Sequence, residues 1–473
     1  MPLDRRAVFW RNLMAAFSAQ GVALISSLVM SLVVPKILGL EAFSYWQLFI
    51  FYCTYAGCFH FGLNDGVYLR VGGQHFSALD FPCLAGQMRY AVLVQSVIGA
   101  GICVVAWVSN VDANRMFVIL MFTVYMVTVN IFTFVGMILQ ATNRVAEFSI
   151  GVIIDKVLFL AVIAASLMGD YADFRVLIIG HIACRLVSIA YFWVRAKQIF
   201  HAHGSGPRRT LAEMFINVRV GVNLMLANVA GALVLGAGRQ VIDMRWGITT
   251  FGKVSLALSV MTFVVQFVGQ VSLVMYPALR LTTAERQVGL AATLRSALDI
   301  VLPLVFVMYV PLSIVLTWWL PEYAESFFIL GLLMPLAVFE ARMQLVVLTY
   351  YKVLRWERTL LALNTGSMAL AIASSIVAAY VLDSVIAVVI AMVLSVVIRS
   401  LIGEYVLAKR IGQAWISRSF VSMFLVAAVF GLTNFIQSVG VAWAITVIAC
   451  ILHLTVNLKG TKQLLALRRR QVR

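Results

Sequence analysis

The 473-residue chain has little charge and no hydrophilic stretch long enough to fold as a separate soluble domain. Only 12% of its residues are charged, 63% are hydrophobic, and the mean hydropathy is +0.99. A soluble globule cannot bury this much apolar surface, whereas a bilayer accepts it. Backbone groups in hydrocarbon must be hydrogen-bonded internally, and the apolar runs are too long for barrel strands. The composition therefore predicts an all-α polytopic membrane protein.

Other absences exclude particular kinds of chemistry. No segment matches the phosphate-binding pattern GxxxxGK[ST], which argues against an ATP-driven pump in a single chain. The six cysteines form no CxxC pair, so we expect free thiols, and His201 and His203 have no further ligand near them. No large external loop carries carboxylates. We therefore predict no catalytic residue, no metal, no cofactor and no enzymatic activity.

Acidic residues are scarce, and their distribution gives an orientation. The net charge is +17, which could suggest nucleic acid. However, the predicted cytoplasmic segments hold 26 of the 36 Lys and Arg residues and 6 of the 19 acids, whereas the external loops hold 5 basic and 8 acidic residues. This is the positive-inside bias of a multi-pass plasma (inner) membrane protein. We expect both termini in the cytoplasm and no nucleic-acid partner.

Apolar runs of roughly 20 residues define about fourteen transmembrane helices. Residues 1–200 contain six of them, residues 201–218 form a basic cytoplasmic linker broken by glycine and proline, and residues 219–408 contain six more. Residues 409–473 add two helices and a basic cytoplasmic tail. Residues 419–458 contain no charged residue, and the polar segment 434–440 divides them into two spans.

Two short segments indicate an internal duplication. At an offset of 208 residues, Gly39 aligns with Gly247, Phe43 with Phe251, and Leu48 with Leu256. The offset also aligns basic residues at the edges of apolar runs. We interpret this as two pseudo-symmetric six-helix bundles, related by an axis along the membrane normal; chance similarity between two outer loops is the alternative.

Charged and amide side chains inside spans are the candidate functional residues, because embedded charges are costly. The candidates for substrate binding in a central cavity are Arg239, Arg342, Lys156, Asn64, Asn223, Asn228, Gln266 and Gln270. The candidates for ion coupling are Asp65, Asp155 and Glu340. Each has a structural alternative: a local pair of Arg239 with Asp243, an interhelix pair for Lys156, helix capping by Asp65, or amides that bond each other.

Two further expectations concern embedded charges without a functional assignment. Asp299 can pair with Arg295, which lies four residues before it on the same predicted helix. Arg185 and Arg399 have no obvious local partner, and we expect both to act as clamps between helices.

Four segments carry a family resemblance: RNLMAAFSAQG, VVPKILGLEAFSYWQL, FHFGLNDGVYLR and GRQVIDMRWGITTFGKVSLA. They resemble the Wzx-type polysaccharide flippases of the superfamily of multidrug, oligosaccharidyl-lipid and polysaccharide exporters. Where relatives often have glycine after the phenylalanine of the first loop, this chain has Ser44, and Gly252 restores the pattern in the second.

This resemblance implies two six-helix bundles around a central cavity, with two extra C-terminal helices. It also implies alternating-access movement of an undecaprenyl-pyrophosphate-linked glycan from the inner to the outer leaflet, for O-antigen, capsule or exopolysaccharide synthesis. A polysaccharide polymerase and a chain-length regulator would be its protein partners. A multidrug exporter of the same superfamily and a membrane-embedded enzyme of polysaccharide assembly are the alternatives.

Overall fold

The computed structural model describes residues 3–169, 173–280 and 284–457, with side chains for residues 11–169, 173–266 and 288–457. Nearly all of these residues are helical, and no β-strand occurs among them. The chain divides into two compact units, residues 1–232 and 233–473, and the dividing point lies inside a helix. The predicted basic tail, residues 459–473, falls outside the described residues.

Unit 1 contains eight complete helices and the first part of a ninth. They are α1 (Leu3–Leu32), α2 (Val34–Tyr55), α3 (Leu63–Val71), α4 (Phe81–Val108), α5 (Ala113–Ala141), α6 (Val145–Met168), α7 (Phe174–Arg195), α8 (Lys197–His201) and α9 (Pro207–Trp246). The break between α8 and α9 contains Gly204 and Gly206, where the sequence predicts one. The domain boundaries and the cytoplasmic position of residues 201–218 stay predictions.

The described residues of unit 2 contain the rest of α9 and ten further helices. They are α10 (Ile248–Arg280), α11 (Ala284–Val301), α12 (Tyr309–Trp319), α13 (Ala324–Leu333), α14 (Pro335–Arg342), α15 (Thr349–Val353), α16 (Glu357–Tyr380), α17 (Val385–Arg410), α18 (Arg418–Thr433) and α19 (Val439–Val456).

The predicted spans correspond to these helices with few exceptions. Within the described residues, eleven helical stretches are long and apolar enough to cross a membrane, and the bent segment that contains α13 and α14 makes a twelfth. The remaining two predicted spans correspond to the short apolar helix α18 and to the interrupted pair α2 and α3. The protein is therefore an all-α polytopic membrane protein, as predicted.

The sequence predicts one continuous apolar span over residues 42–67, which we call span two, and the structure shows that this prediction is wrong. After α2 the chain forms a 3-10 turn, Ala56–His60, and then passes through Phe61 and Gly62 with φ of 52° and 85°. A left-handed residue cannot continue a right-handed helix, and glycine adopts this conformation at little cost. Sequence hydropathy does not register this change of backbone conformation.

Two spans of unit 2 are also interrupted. A 3-10 segment, Leu302–Met308, separates α11 from α12 and contains Pro303, which has no backbone N–H to donate. The segment containing α13 and α14 bends by 46° just before Pro335. A π-helical turn, Met343–Leu348, follows α14 directly.

The core of unit 1 is built on stacked aromatic rings. Trp46 on α2 stacks on Phe159 of α6 with ring centroids 5.7 Å apart, and the edge of the Phe159 ring meets His181 of α7 at 4.7 Å. Nearer the other end of α7, Phe192 stacks on Phe132 of α5 at 4.9 Å. These contacts hold α2, α5, α6 and α7 in one packed group.

The two segments of the predicted duplication share local structure. Gly39 and Gly247 both adopt positive φ, 68° and 84°, and neither would bring an added Cβ within 4 Å of another atom. The aligned residues Phe43 and Phe251 are both fully buried. Positive φ at the glycine and burial of the phenylalanine, both at the same offset, support the interpretation of these segments as copies. The symmetry axis between the halves stays a prediction.

Candidate functional site

A charged cluster lies in the middle of α6 and α7 in unit 1. Asp155 Oδ2 is 3.0 Å from Arg185 Nη2 and 3.3 Å from Lys156 Nζ. Asp155 is 1% exposed, whereas the Lys156 side chain is 18% exposed. The clamp predicted for Arg185 is confirmed, because Arg185 and Asp155 join two helices. We call Asp155, Lys156 and Arg185 the unit 1 charge cluster.

Aromatic side chains complete this cluster. The Arg185 guanidinium lies over the ring of Phe132 at 4.4 Å and near that of Tyr125 at 6.0 Å. Cation–π contact stabilises a buried cation without neutralising it. Asp155 is the one carboxylate within ion-pair distance of Lys156 or Arg185 among the described side chains. With both basic groups protonated and Asp155 ionised, the cluster has a net charge of +1.

A larger charged cluster lies in unit 2 around Arg342. Arg342 is completely buried, donates to both carboxylate oxygens of Glu404 at 2.6 and 2.5 Å, and also pairs with Asp299. Arg295 Nε is 3.5 Å from the same Glu404 carboxylate. We call Arg295, Asp299, Arg342 and Glu404 the unit 2 charge cluster. Its two basic and two acidic groups balance.

The surroundings of the unit 2 charge cluster correct one prediction. Asp299 does not pair with Arg295; it accepts bonds from Arg342 and from the hydroxyls of Ser417 and Ser419. Arg295 donates instead to the backbone carbonyl of Trp415, at 2.6 Å. Arg295 and Asp299 each meet partners that tertiary packing brings from outside α11, so their spacing along α11 does not decide which groups pair.

Glu340, an ion-coupling candidate, pairs with Arg399. Glu340 lies on α14 and Arg399 on α17, so the predicted interhelix clamp by Arg399 is confirmed. An ion-coupling carboxylate must exchange its partner for an ion or a proton. Glu340 would first have to leave Arg399, and Asp155 would have to leave Arg185.

Arg239 lies on α9 within unit 2 and contacts the first turns of α10. Its Nε and Nη2 atoms donate to the Ser255 hydroxyl at 3.1 and 2.8 Å, and its guanidinium lies 5.0 Å from the centre of the Phe251 ring. Arg239 is half-buried. It is thus held at the start of α10, beside the second copy of the duplicated segment.

Asn64 and Asp65 lie in the first turn of α3, directly after the break in span two. Asn64 Nδ2 donates to the Asn130 carbonyl at 3.2 Å and to the Thr133 hydroxyl at 2.9 Å, both on α5. Asp65 lies 3.8 Å from His60 Nε2, and no Lys or Arg is within ion-pair distance of it among the described side chains. An acidic residue in a first turn is favoured by the helix dipole.

The remaining amide candidates are dispersed. Asn223 and Asn228 lie on the first part of α9 in unit 1, and both side chains are exposed. Gln266, on α10 in unit 2, is exposed as well. The Gln270 side chain falls outside the described residues. A substrate-binding role for these amides stays a prediction.

The beginning of α9 is held tightly against the rest of unit 1. A Cβ on Gly66 of α3 would overlap with the Asn217 backbone, and one on Gly221 would overlap with Gly62 and Gly66. Asn217 Nδ2 donates to Gln87 Oε1 of α4 at 2.8 Å, and Arg70 Nη1 donates to Asn217 Oδ1 at 2.7 Å. Glycine at Gly66 and Gly221 thus permits direct backbone contact between α3 and α9.

Two important residues were missed by the sequence reasoning. Glu404, the main partner of Arg342, is an embedded acid on the same predicted span as Arg399, so that combination could have identified it. Asn130 donates to the Ala56 carbonyl at the broken span at 3.0 Å. Nothing along the chain distinguishes it from any other amide in an apolar run.

The described residues contain no group of three or more His, Cys, Asp or Glu side chains that could hold a metal ion. All six cysteines are free thiols, as predicted, and Cys83, Cys184 and Cys450 are buried.

Neither the protein-family models nor the curated proteins contain a match to the chain. Solved structures do match. An inward-facing multidrug resistance MATE family transporter of the MOP superfamily has a TM-score of 0.61 at 12% identity, covering 83% of this chain and 94% of the transporter. The lipid II flippase MurJ, in an inward closed conformation, has a TM-score of 0.59 at 12% identity, covering 98% of this chain and 99% of MurJ.

A third structure is a MOP superfamily transporter from Pyrococcus furiosus, described as having a binding pocket of reversed polarity that suggests a different function. Its TM-score is 0.51 at 13% identity, covering 86% of this chain and 95% of the transporter. This chain has the fold of the MOP superfamily transporters. Identities this low establish the fold and leave the substrate open.

Proposed function

We propose that the protein is a flippase that moves a lipid-linked oligosaccharide or polysaccharide precursor from the inner to the outer leaflet by alternating access. The observation that carries this proposal is the extent of the structural match. The match to the lipid II flippase extends over 98% of this chain, whereas the multidrug transporter matches cover 83–86%. The difference is about the length of residues 409–473, which include α18 and α19.

The charge of unit 1 agrees with an anionic headgroup. A polyprenyl-pyrophosphate glycan presents phosphate oxygens, and its transfer through the membrane requires groups that replace their hydration. The unit 1 charge cluster carries one more basic group than acidic groups, and Lys156 is its partly exposed member. We propose that Lys156 contacts the headgroup and that Arg185 keeps Asp155 from neutralising it.

The other two predicted cationic residues have different partners. Arg239 donates to the Ser255 hydroxyl, and it remains a candidate for a second contact with the headgroup. Arg342 is neutralised by two carboxylates at complete burial. The role of Arg342 in stabilising the unit 2 charge cluster is a sufficient reason for an embedded charge at this position, without a contact to the substrate.

The orientation is part of the proposal: an inner (plasma) membrane protein with both termini in the cytoplasm. Single cysteines at Asp112, Glu322 and Asp383, in a background without native cysteines, should react in intact cells with a membrane-impermeant thiol reagent. A cysteine at Arg355, in a predicted inner loop, should react only after permeabilisation. Protection of any two of the three outer positions, at normal protein levels, would contradict this orientation.

The test of function is a reconstituted flipping assay. The purified protein is placed in liposomes that contain a polyprenyl-pyrophosphate oligosaccharide with a fluorescent sugar label. The fraction of label destroyed by a membrane-impermeant reductant that bleaches it irreversibly should rise from about half of the molecules toward all of them, and in empty liposomes it should stay at half. An unchanged bleached fraction would overturn the flippase proposal.

The alternatives are tested in the same vesicles. A multidrug exporter would move a lipophilic cationic dye against its gradient and leave the glycan lipid in place. A membrane-embedded enzyme of polysaccharide assembly would change the mass of the glycan lipid. A polymerase or chain-length regulator that assembles with the flippase in cells would be recovered with it by cross-linking in intact membranes.

A further inference from the structure

A cavity lies in unit 2, at the end where α12 and α18 finish and α13 and α19 begin. Its volume is about 510 Å³, which is within the range of small-molecule sites in proteins. Residues from these four helices, from the 3-10 segment before α12 and from the connection between α18 and α19 line it. In the proposed orientation, this end of unit 2 faces the outer side of the membrane.

Aromatic rings form much of the cavity wall. Phe306 and Phe430 stack with their ring centroids 4.6 Å apart. The indole of Trp443 is held by its Nε1 hydrogen, which it donates to the Val307 carbonyl at 3.1 Å. Phe435, in the connection between α18 and α19, is 57% exposed. Such flat apolar faces are suited to packing against the C–H side of a sugar ring.

Hydrogen-bonding side chains lie among these rings. Among the described residues, none is hydrogen-bonded to the side chain of Thr317 or Gln437, so both can bond to a ligand. The Ser313 hydroxyl donates to the Val310 carbonyl at 2.9 Å, and its oxygen can still accept a hydrogen bond. No charged side chain occurs among the described residues that line the cavity.

This combination favours one class of ligand. A charged molecule would find no counter-charge in the lining. A hydrocarbon chain would displace water from the polar side chains without replacing its hydrogen bonds, which loses affinity. A neutral sugar has both an apolar face and hydroxyl groups that donate and accept.

We propose that this cavity binds a neutral sugar, with its ring packed on Trp443 and Phe435 and its hydroxyls bonded to Thr317 and Gln437. Sugar binding itself does not depend on the proposed flippase function. The assignment of the sugar to the glycan of the transported lipid does rest on that function. On that assignment, the cavity holds part of the glycan on the outer side and contributes to the choice of glycan.

Binding is measured by isothermal titration calorimetry on the purified full-length protein, in a detergent without a sugar headgroup that could compete. The first probe is a neutral oligosaccharide, released by mild acid from its polyprenyl-pyrophosphate carrier. It should bind saturably at one site per chain. The intact glycan lipid should displace it, whereas polyprenyl pyrophosphate without a sugar should not.

A double substitution tests the hydrogen bonds. Thr317→Val with Gln437→Leu should weaken oligosaccharide binding about tenfold, because two bonds between uncharged groups are lost. The unfolding midpoint should not change, since neither side chain holds another part of the chain. Thr54→Val with Gln198→Leu makes the same changes at exposed positions of unit 1 and should leave binding unchanged.

A substitution at Phe435 tests the packing. Phe435→Leu keeps an apolar side chain but removes the flat ring, so it should weaken oligosaccharide binding several-fold.

Three results would overturn the sugar site: no binding of the released oligosaccharide, unchanged affinity in the Thr317→Val, Gln437→Leu protein, or displacement of the oligosaccharide by polyprenyl pyrophosphate. The last result would show that the cavity holds hydrocarbon. If the intact glycan lipid fails to displace the oligosaccharide, the site takes free sugar and the assignment to the transported lipid is wrong.

The sugar site and the flippase function can fail separately. Sugar binding at this cavity by a protein that does not flip the glycan lipid would remove the flippase function and keep the site. Flipping by a protein that does not bind the released oligosaccharide would keep the function and remove the site.

Discussion

The unit 1 and unit 2 charge clusters contain the same kinds of charged side chain, but they differ in the balance between basic and acidic groups. In unit 2, Arg342 and Arg295 face Asp299 and Glu404, so every charge has a counterpart at nearly complete burial. In unit 1, the Asp155 carboxylate pairs with both Lys156 and Arg185, and the Lys156 side chain is partly exposed. A buried network with equal numbers of positive and negative charges stabilises the arrangement of helices, whereas a network with an excess positive charge can also attract an anion.

The largest effect is expected from Arg342→Ala in unit 2. The substitution leaves the Asp299 and Glu404 carboxylates buried without their main partner, which costs about 3–5 kcal/mol. The protein should lose most of its yield in the membrane and unfold at a much lower temperature in detergent.

A second variant separates the effect of losing the ion pairs from the effect of losing side-chain volume. The combination Arg342→Met and Asp299→Asn removes one charge of each sign at similar volume and leaves Glu404 paired with Arg295, so its stability should lie within about 2 kcal/mol of the parent. If Arg342→Ala folds like the parent and abolishes only transport, Arg342 acts on substrate and the contrast between the clusters disappears.

Lys156→Ala in unit 1 should affect transport instead of folding. Asp155 keeps its pair with Arg185, so the protein should accumulate normally. Loss of a charged hydrogen bond to an anion costs about 1.5–3 kcal/mol, so flipping at limiting substrate should fall about 10- to 100-fold. Lys156→Arg should retain part of the activity.

The control for this variant is Lys197→Ala, which removes an exposed lysine from α8 and should leave flipping unchanged. Normal flipping by Lys156→Ala would show that the excess charge of unit 1 has no part in transport.

Alanine at Gly39 and at Gly247 should give equal, intermediate effects. Each residue is left-handed, a conformation that costs a non-glycine residue about 1–2 kcal/mol. Unfolding midpoints in detergent should fall by similar amounts in the two variants. Gly101→Ala and Gly289→Ala, at ordinary helical positions with open space around them, serve as controls. A clear difference between the two test variants would count against equivalent roles in the two copies.

The smallest effect is expected from a pair of polar contacts close to these glycines. Tyr45 donates to Asp112 at 3.1 Å in unit 1, and at the aligned position Lys253 lies 2.6 Å from Glu325 in unit 2. Glu325 is largely exposed, so Lys253→Met should cost less than about 1 kcal/mol. Tyr45→Phe should cost a similar amount, as measured by denaturant unfolding. A loss above 2 kcal/mol in either variant would show that the contact is a structural anchor.

The sequence predicts the fold class well because hydropathy and the distribution of basic residues are patterns that extend over whole spans. It also identifies Gly39 and Gly247, since a left-handed position restricts the residue type strongly. It does not predict the positive φ of Phe61, because phenylalanine rarely adopts this conformation and the residue type gives no sign of it.

The pairing of embedded charges is the part that sequence could not supply. Arg342 and Glu404 are 62 residues apart and meet only because α14 packs against α17. Spacing along one helix instead suggested the wrong partner for Asp299.

The break in span two also has a mechanical consequence. A continuous helix is a stiff rod, and a push at one end displaces the other, whereas a rod interrupted by a 3-10 turn and two left-handed residues transmits little axial force. Its first half, α2, is seated among aromatic rings by Trp46. Its second half, α3, is joined to α9 by the glycine contact at Gly66. An axial displacement of α2 would therefore reach α3 and the start of α9 only weakly.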